Sequence, residues 1–131
     1  MIGMGVDIIQ ISEFSKQVQD KASVFVSGSF TEREIHYANS NVSNRPAQHL
    51  AVRYATKEAF IKAWSSMQIG SAPILNNPNF LEIEVVNDFY GRPSIQLHGQ
   101  LAELLAGFTA TVSLSHDGDY SIATVLLRKI Q

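Results

Sequence analysis

Hydrophobic and polar positions change period several times along this chain, and each change marks an element. Residues 2–11 (IGMGVDIIQI) are rich in Ile and Val and alternate poorly, which suits a buried strand ending between Asp7 and Ile11. Asp7 then lies in or beside that strand. A short helix is expected over residues 12–20, and Thr31-Glu32-Arg33-Glu34 reads as a capping box, with Thr31 as N-cap of the next helix and Glu34 reaching back. The polar run 39–46 (NSNVSNRP) is expected to be a loop, with Pro46 in the first turn of a long helix that stops before Gly70. Leu50, Phe60, Ile61 and Trp64 form much of an apolar side of that helix. Residues 70–80, with Gly70, Pro73 and Pro78 among asparagines, form a loop.

Two hairpins are expected after it. LEIEVV (81–86) alternates outward Glu82 and Glu84 with inward apolar residues, NDFYGRP turns the chain, and SIQLHG returns. Residues 100–106 form a small helix. TATVSLSH and YSIATVLL then flank HDGD, where Asp117-Gly118 is a tight-turn dipeptide. A strand, several helices and two hairpins in that order predict an α+β fold, a mostly antiparallel sheet packed on a long central helix. One domain over 1–131 is expected, and the chain contains no internal repeat or low-complexity tract.

Composition narrows this picture without naming a function. A chain of 131 residues with 45% hydrophobic content supports one packed core. Its formal charge of −2 argues against a general nucleic-acid-binding surface, and its mild asymmetry identifies no partner. The absence of cysteine excludes disulfides, thiolate catalysis and thiolate metal sites. The apolar start MIGMGVDII lacks a basic flank and is interrupted by Asp7, so no signal peptide is expected. With no segment able to span a bilayer, a soluble, cytoplasmic protein is expected.

Candidate chemistry concentrates in LAVRYATKEAFIKAW, residues 50–64. Arg53, Lys57, Glu58 and Lys62 place three cations and a carboxylate within ten residues. Glu58 and Lys62 fall on one face one turn apart, either as a surface salt bridge or as groups for phosphate chemistry. Arg53 points well away from Glu58, so this helix alone cannot close a site. The histidines His36, His49, His98 and His116 show no zinc-type spacing. Asp7 at a strand end and Glu58 on the helix could jointly hold Mg²⁺, which typically takes one or two protein carboxylates and completes its shell with water and substrate phosphate. Ser115-His116-Asp117 is not a hydrolase triad, because consecutive strand residues point in alternating directions. Its residues are either a polar hairpin end, with Asp117 serving the turn, or a place where Ser115 and His116 donate hydrogen bonds to a phosphate. Gly91-Arg92-Pro93 is equally open between turn and binding site. Gly3-Met4-Gly5 is too short for a phosphate loop.

Taken together, GMGVDII, FTEREIHYA, LAVRYATKEAFIKAW, LEIEVVNDFYGRPSIQLHG and VSLSHDGDYSIATVLL closely resemble the holo-[acyl-carrier-protein] synthase type of 4′-phosphopantetheinyl transferase. The resemblance spans nearly the whole chain, and KEAFIKA is its most specific element. It implies the family's fold and the transfer of phosphopantetheine from coenzyme A to a serine of an apo acyl carrier protein, releasing adenosine 3′,5′-bisphosphate. By the same resemblance Asp7 and Glu58 match the Mg²⁺ ligands, and Lys62 matches a lysine that contacts phosphate. Glu58 is also a candidate to draw the serine proton, directly or through water. Arg53 and His116 match cofactor-contacting positions, and Asp117 matches a residue that follows that histidine in some members; Ser115, Arg92 and Pro93 are counted with Arg53, Lys62 and His116 as cofactor-binding candidates, and Lys57 is read as structural. The family's compact form is a homotrimer with sites between subunits, which would let Arg53 and Glu58, divergent on one helix, serve one bound cofactor.

One position departs from the family pattern. Where members usually carry an arginine that docks the acidic helix of the carrier, this chain has Glu13. A carboxylate there would repel an acidic partner, slowing association more than chemistry. Either Lys16 or Lys21 takes over docking, or the preferred carrier is not the standard acidic one. Two other readings stay open: a coenzyme A or nucleotide-binding module with altered docking, and a structural domain whose charged helix makes only surface pairs.

Overall fold

Pro46 opens the longest helix, α4 (Pro46–Ser66), at a first-turn position where a missing N–H breaks no hydrogen bond. Ala47, Ala51, Ala55, Ala59 and Ala63 recur every fourth residue along it. That spacing favours helix and leaves a shallow ridge on which another backbone can lie close. In the computed structural model, which describes residues 1–20, 24–40 and 45–130, strand β1 (Ile2–Gln10) crosses this ridge. A Cβ at Gly3 would stand 2.1 Å from the Ala63 carbonyl oxygen, and one at Gly5 would stand 1.9 Å from that of Ala59. These two glycines therefore serve backbone approach.

The strands form two antiparallel sheets. β1 pairs with β5 (Tyr120–Lys129), which pairs with β4 (Phe108–Asp117), and β2 (Ile83–Asn87) pairs with β3 (Pro93–Leu97). The α+β architecture on a long helix is as the sequence predicts. Ala55, Ala59 and Ala63 meet Ala123, Val125 and Leu127 on the sheet side of α4, while Phe60 and Trp64 share the same core with Ile83, Leu105 and Leu101 of α5 (Gly99–Leu104). Full burial of a side chain such as Phe60 contributes about 2 kcal/mol or more. The N-terminal half of α4 is covered by α1 (Ile11–Gln19), α2 (Phe25–Ser29) and α3 (Glu32–Ser40), through Phe14, Phe30, Ala38, Leu50 and Ala51. No helix among the described residues is long and apolar enough to cross a membrane.

The Thr31 capping box forms. Thr31 N–H donates to Glu34 Oε1 at 2.9 Å, and Glu34 N–H donates to Thr31 Oγ1 at 3.2 Å.

Several expectations are corrected. The long helix is not a simple amphipathic one: Arg53, Thr56 and Lys57 are buried with the apolar residues because layers cover α4 on several sides. β1 is not buried on both faces, since Ile2, Met4, Val6 and Ile8 stand exposed while Gly3 and Gly5 face α4. Glu84 does not point outward: it is 4% exposed beneath α3, bonded by Thr31, Arg33 and His98. Glu82 lies in a 3₁₀ turn (Phe80–Glu82), where its carboxylate accepts the Leu101 N–H at the start of α5. Asn39 and Ser40 extend α3 rather than begin the loop, whose residues 41–44 lie outside the described residues. The short α2 carries no periodic signal and was not expected. Asp117 pairs with Tyr120, so Gly118-Asp119 makes the turn, and Asp119 accepts both the N–H and the hydroxyl of Ser12.

Candidate active site

The contact of β1 with α4 decides where Asp7 goes. Side chains alternate along a strand, so Asp7 shares the α4-facing side with Gly3 and Gly5. Its carboxylate meets the turn of α4 that carries Lys62, whose Nζ donates to Asp7 Oδ1 at 3.0 Å and to the Val6 carbonyl at 3.2 Å. The Lys62 ion pair is therefore with Asp7 and not with Glu58. Glu58, half-buried one turn before Lys62, has its carboxyl pushed up by burial and then by the negative charge of Asp7. The charge of Lys62 and a hydrogen bond from Tyr54 oppose that shift. Two carboxylates from distant parts of the chain thus share one electrostatic site with a lysine.

This donor set fits a hard divalent cation. No group of three or more His, Asp or Glu side chains able to hold a metal occurs among the described residues. A pair is the number Mg²⁺ typically takes from a protein when phosphate and water complete its octahedron. Asp7 and Glu58 are the residues that would hold it, and a cation shared by them would relieve their repulsion.

Arg53 leaves α4 in another direction and enters a pocket of about 190 Å³ lined by Tyr37, His49, Asn87, Gly91, Ser115 and His116, among others. Arg53 as a whole is 3% exposed, and its guanidinium lies 4.4 Å from the centre of the Tyr37 ring and donates to the His49 carbonyl and to Asn87 Oδ1. Arg53 Nε has no hydrogen-bond partner. Burial lowers the Arg53 pKa, and burial together with the charges of Arg53 and His116 lowers that of His49. A buried cation bonded only to neutral oxygens, beside His116, leaves positive potential for an anion.

The remaining predicted residues divide. Ser115 and His116, consecutive on β4, both border this pocket. Arg92 is exposed and turned away, pairing with Asp88 at 2.7 Å and lying over the Tyr90 ring at 4.9 Å. Neither Arg92 nor Pro93 lines the pocket; Gly91 does. Lys57 is fully buried against Glu34, which matches its structural reading. Tyr54 and Asn87 were not singled out from sequence. The i,i+4 spacing of Tyr54 and Glu58 carries a signal for the first, whereas nothing in the sequence places Asn87 on Arg53.

A second concavity, of about 400 Å³, borders the carboxylate site through Tyr54 and Ile9 and is rimmed by Glu13 and Lys16 of α1. Glu13 and Lys16 pair with each other at 3.2 Å with both side chains exposed. Lys21 lies outside the described residues.

The family model for the 4′-phosphopantetheinyl transferase superfamily matches residues 3–125. A holo-[acyl-carrier-protein] synthase of Mycobacterium tuberculosis is 42% identical over 127 residues, covering 97% of this chain and 96% of that protein. One from Nocardia farcinica is also 42% identical, covering 97% and 87%. Among solved structures, the Chronobacterium ammoniagenes ACPS-CoA complex superposes with a TM-score of 0.87 at 38% identity, covering 100% of this chain and 99% of that one.

Proposed function

Since the chain belongs to the 4′-phosphopantetheinyl transferase superfamily, among the holo-[acyl-carrier-protein] synthases, we propose that it transfers 4′-phosphopantetheine from coenzyme A to a serine of an apo acyl carrier protein. The reaction depends on Mg²⁺. The serine oxygen forms a bond to the pantetheine phosphorus, the pyrophosphate P–O bond breaks, and adenosine 3′,5′-bisphosphate leaves. The observation that carries this reading is the meeting of Asp7, Glu58 and Lys62, drawn from β1 and α4.

Asp7 and Glu58 would hold the ion, which when bound would neutralise charge on the pyrophosphate. Lys62, already within hydrogen-bond distance of Asp7, adds a point cation where negative charge develops on the leaving group. Glu58 receives the serine proton, directly or through water. The pocket around Arg53 and His116 binds a phosphate of coenzyme A, with Ser115 as an added donor and Arg92 and Pro93 at its margin.

The two half-sites diverge from one helix, and a contribution from a neighbouring chain would let one cofactor use both. A face suited to that contact exists. Ile2, Met4, Val6 and Ile8 of β1 lie exposed beside Ile122 and Tyr120 of β5, an open apolar sheet surface of the kind that marks an interface. We assign it to a homotrimer with sites between subunits.

The neutral Glu13–Lys16 rim favours one alternative, a coenzyme A-binding module with altered or lost carrier docking. Incubation with coenzyme A, Mg²⁺ and an apo carrier, read by mass spectrometry, separates the two. The expected result is a phosphopantetheine adduct on the carrier serine. Tight coenzyme A binding without an adduct on any carrier would support the module instead. No coenzyme A binding at all would leave only the structural reading.

A further inference from the structure

A buried ion pair stands between the two half-sites and belongs to neither. Lys57 and Glu34 are fully buried and meet at 2.7 Å. The ammonium uses its three hydrogens on Glu34 Oε1 at 2.7 Å, the Ser29 carbonyl at 2.6 Å and the Phe80 carbonyl at 2.9 Å. Glu34 Oε1 also accepts the Thr31 N–H, and Oε2 accepts the Val85 N–H, each at 2.9 Å. These bonds run to the end of α2, the start of α3, the 3₁₀ turn and β2, so one pair ties four segments to α4.

Its place on α4 matters more than its burial. Lys57 immediately precedes Glu58 and follows Arg53 by one turn, so at about 100° per residue the two site residues diverge on either side of it. Fixing the direction of Lys57 fixes the roll of α4 and with it both half-sites. Val85, held by the same Glu34, lies two residues before Asn87, the side chain that receives Arg53. Space-filling alone would not require charge here, because apolar residues of similar volume often replace a buried ion pair without loss of stability. What apolar contact lacks is direction.

We propose that Lys57 and Glu34 form a positioning pair that sets the roll of α4 against β2, so that the carboxylate half-site and the Arg53 pocket each present their groups in the direction coenzyme A requires, whichever chain completes the site. The inference rests on the transferase reading above. Its test is the double variant Lys57→Met/Glu34→Leu, which removes charge and direction while retaining bulk. The expected result is a melting temperature near that of the parent and a KM for coenzyme A raised about tenfold, with the KM for the carrier unchanged. A purely structural role would lower the active fraction, and hence kcat, without moving either KM. A folded double variant whose constants all stay within about twofold of the parent would overturn the proposal.

Glu34→Gln supplies a second measurement and decides the matter if the double variant does not fold. An amide cannot accept at both oxygen positions; its oxygen stays with the two donors Lys57 and Thr31, so Val85 loses its acceptor. Amide hydrogen exchange at Val85 should accelerate about tenfold or more. Unchanged exchange at Val85, with unchanged KM for coenzyme A, would overturn the proposal. Because exchange needs no turnover, it still reports on the pair if the parent transfers nothing to any carrier.

Discussion

Neither Asp7 nor Glu58 belongs to the buried core, so their removal should cost chemistry and not fold. Asp7→Ala or Glu58→Ala is expected to reduce transfer by at least about 10³-fold, with circular dichroism and melting temperature nearly unchanged. Excess Mg²⁺ is expected to rescue one of them in part. Normal turnover in both variants would remove the metal assignment. Glu13 acts differently, at an exposed rim. Glu13→Arg should raise kcat/KM for an acidic carrier at low salt, and the gain should shrink as salt screens the contact. A fall, or no change, would show that α1 does not face the carrier.

Glu84 gives a residue-scale prediction about stability. The Arg33 hydrogen bond, followed by those of Thr31 and His98, holds its carboxyl down to about 2 against the ordinary 4.5. A depressed carboxylate contributes stability above its unfolded value and loses it as pH falls through the folded one. The loss should therefore develop between about pH 4.5 and pH 2 and amount to on the order of 2 kcal/mol after allowance for the exposure of Arg33. Urea titrations across that window should show the decline in the parent and a shallower one in Glu84→Gln. The sequence alternation sent Glu84 outward, and it did so for a physical reason. A period of two separates the faces of a strand but cannot tell which face another element covers.

At the scale of elements, the site depends on the distance between β1 and α4. Gly5→Ala would drive a Cβ into the Ala59 carbonyl, 1.9 Å away, and neither backbone can yield cheaply. The expected cost is about 3 kcal/mol, read as a lower urea midpoint, together with weaker Mg²⁺ binding as Asp7 withdraws from Glu58. A variant as stable as the parent would show that the crossing tolerates a wider gap. Helix α4 itself was legible: Pro46, the apolar positions Leu50, Phe60, Ile61 and Trp64, and the KEAFIKA charges mark its start, course and chemical face. Lys57 is buried against Glu34, a residue whose sequence signal points to capping alone. One carboxylate does both, which local pattern cannot reveal.

For the whole molecule, the divergence of Arg53 and Glu58 yields a test of assembly. If each site takes Glu58 from one subunit and Arg53 from the next, Arg53→Ala and Glu58→Ala chains are inactive alone. Co-refolded at equal amounts as random trimers, they should regain about a quarter of parental activity. No recovery in mixed assemblies would confine the site to one chain. The exposed row Ile2, Met4, Val6 and Ile8 belongs to the same question, because it is the surface such an assembly would cover.

The sequence by itself determined the α+β order, the capping box, the long helix, both hairpins and the family likeness, because these rest on local period, turn chemistry and residue spacing. It also supplied Asp7, Glu58, Lys62, Arg53 and His116 as separate candidates. Only the tertiary structure decided that Lys62 pairs with Asp7, that Asn87 receives Arg53, and that Glu84 and Lys57 are buried. Those outcomes turn on which surfaces meet across tens of residues of chain, and a one-dimensional pattern carries the period of a surface but not the identity of what packs against it.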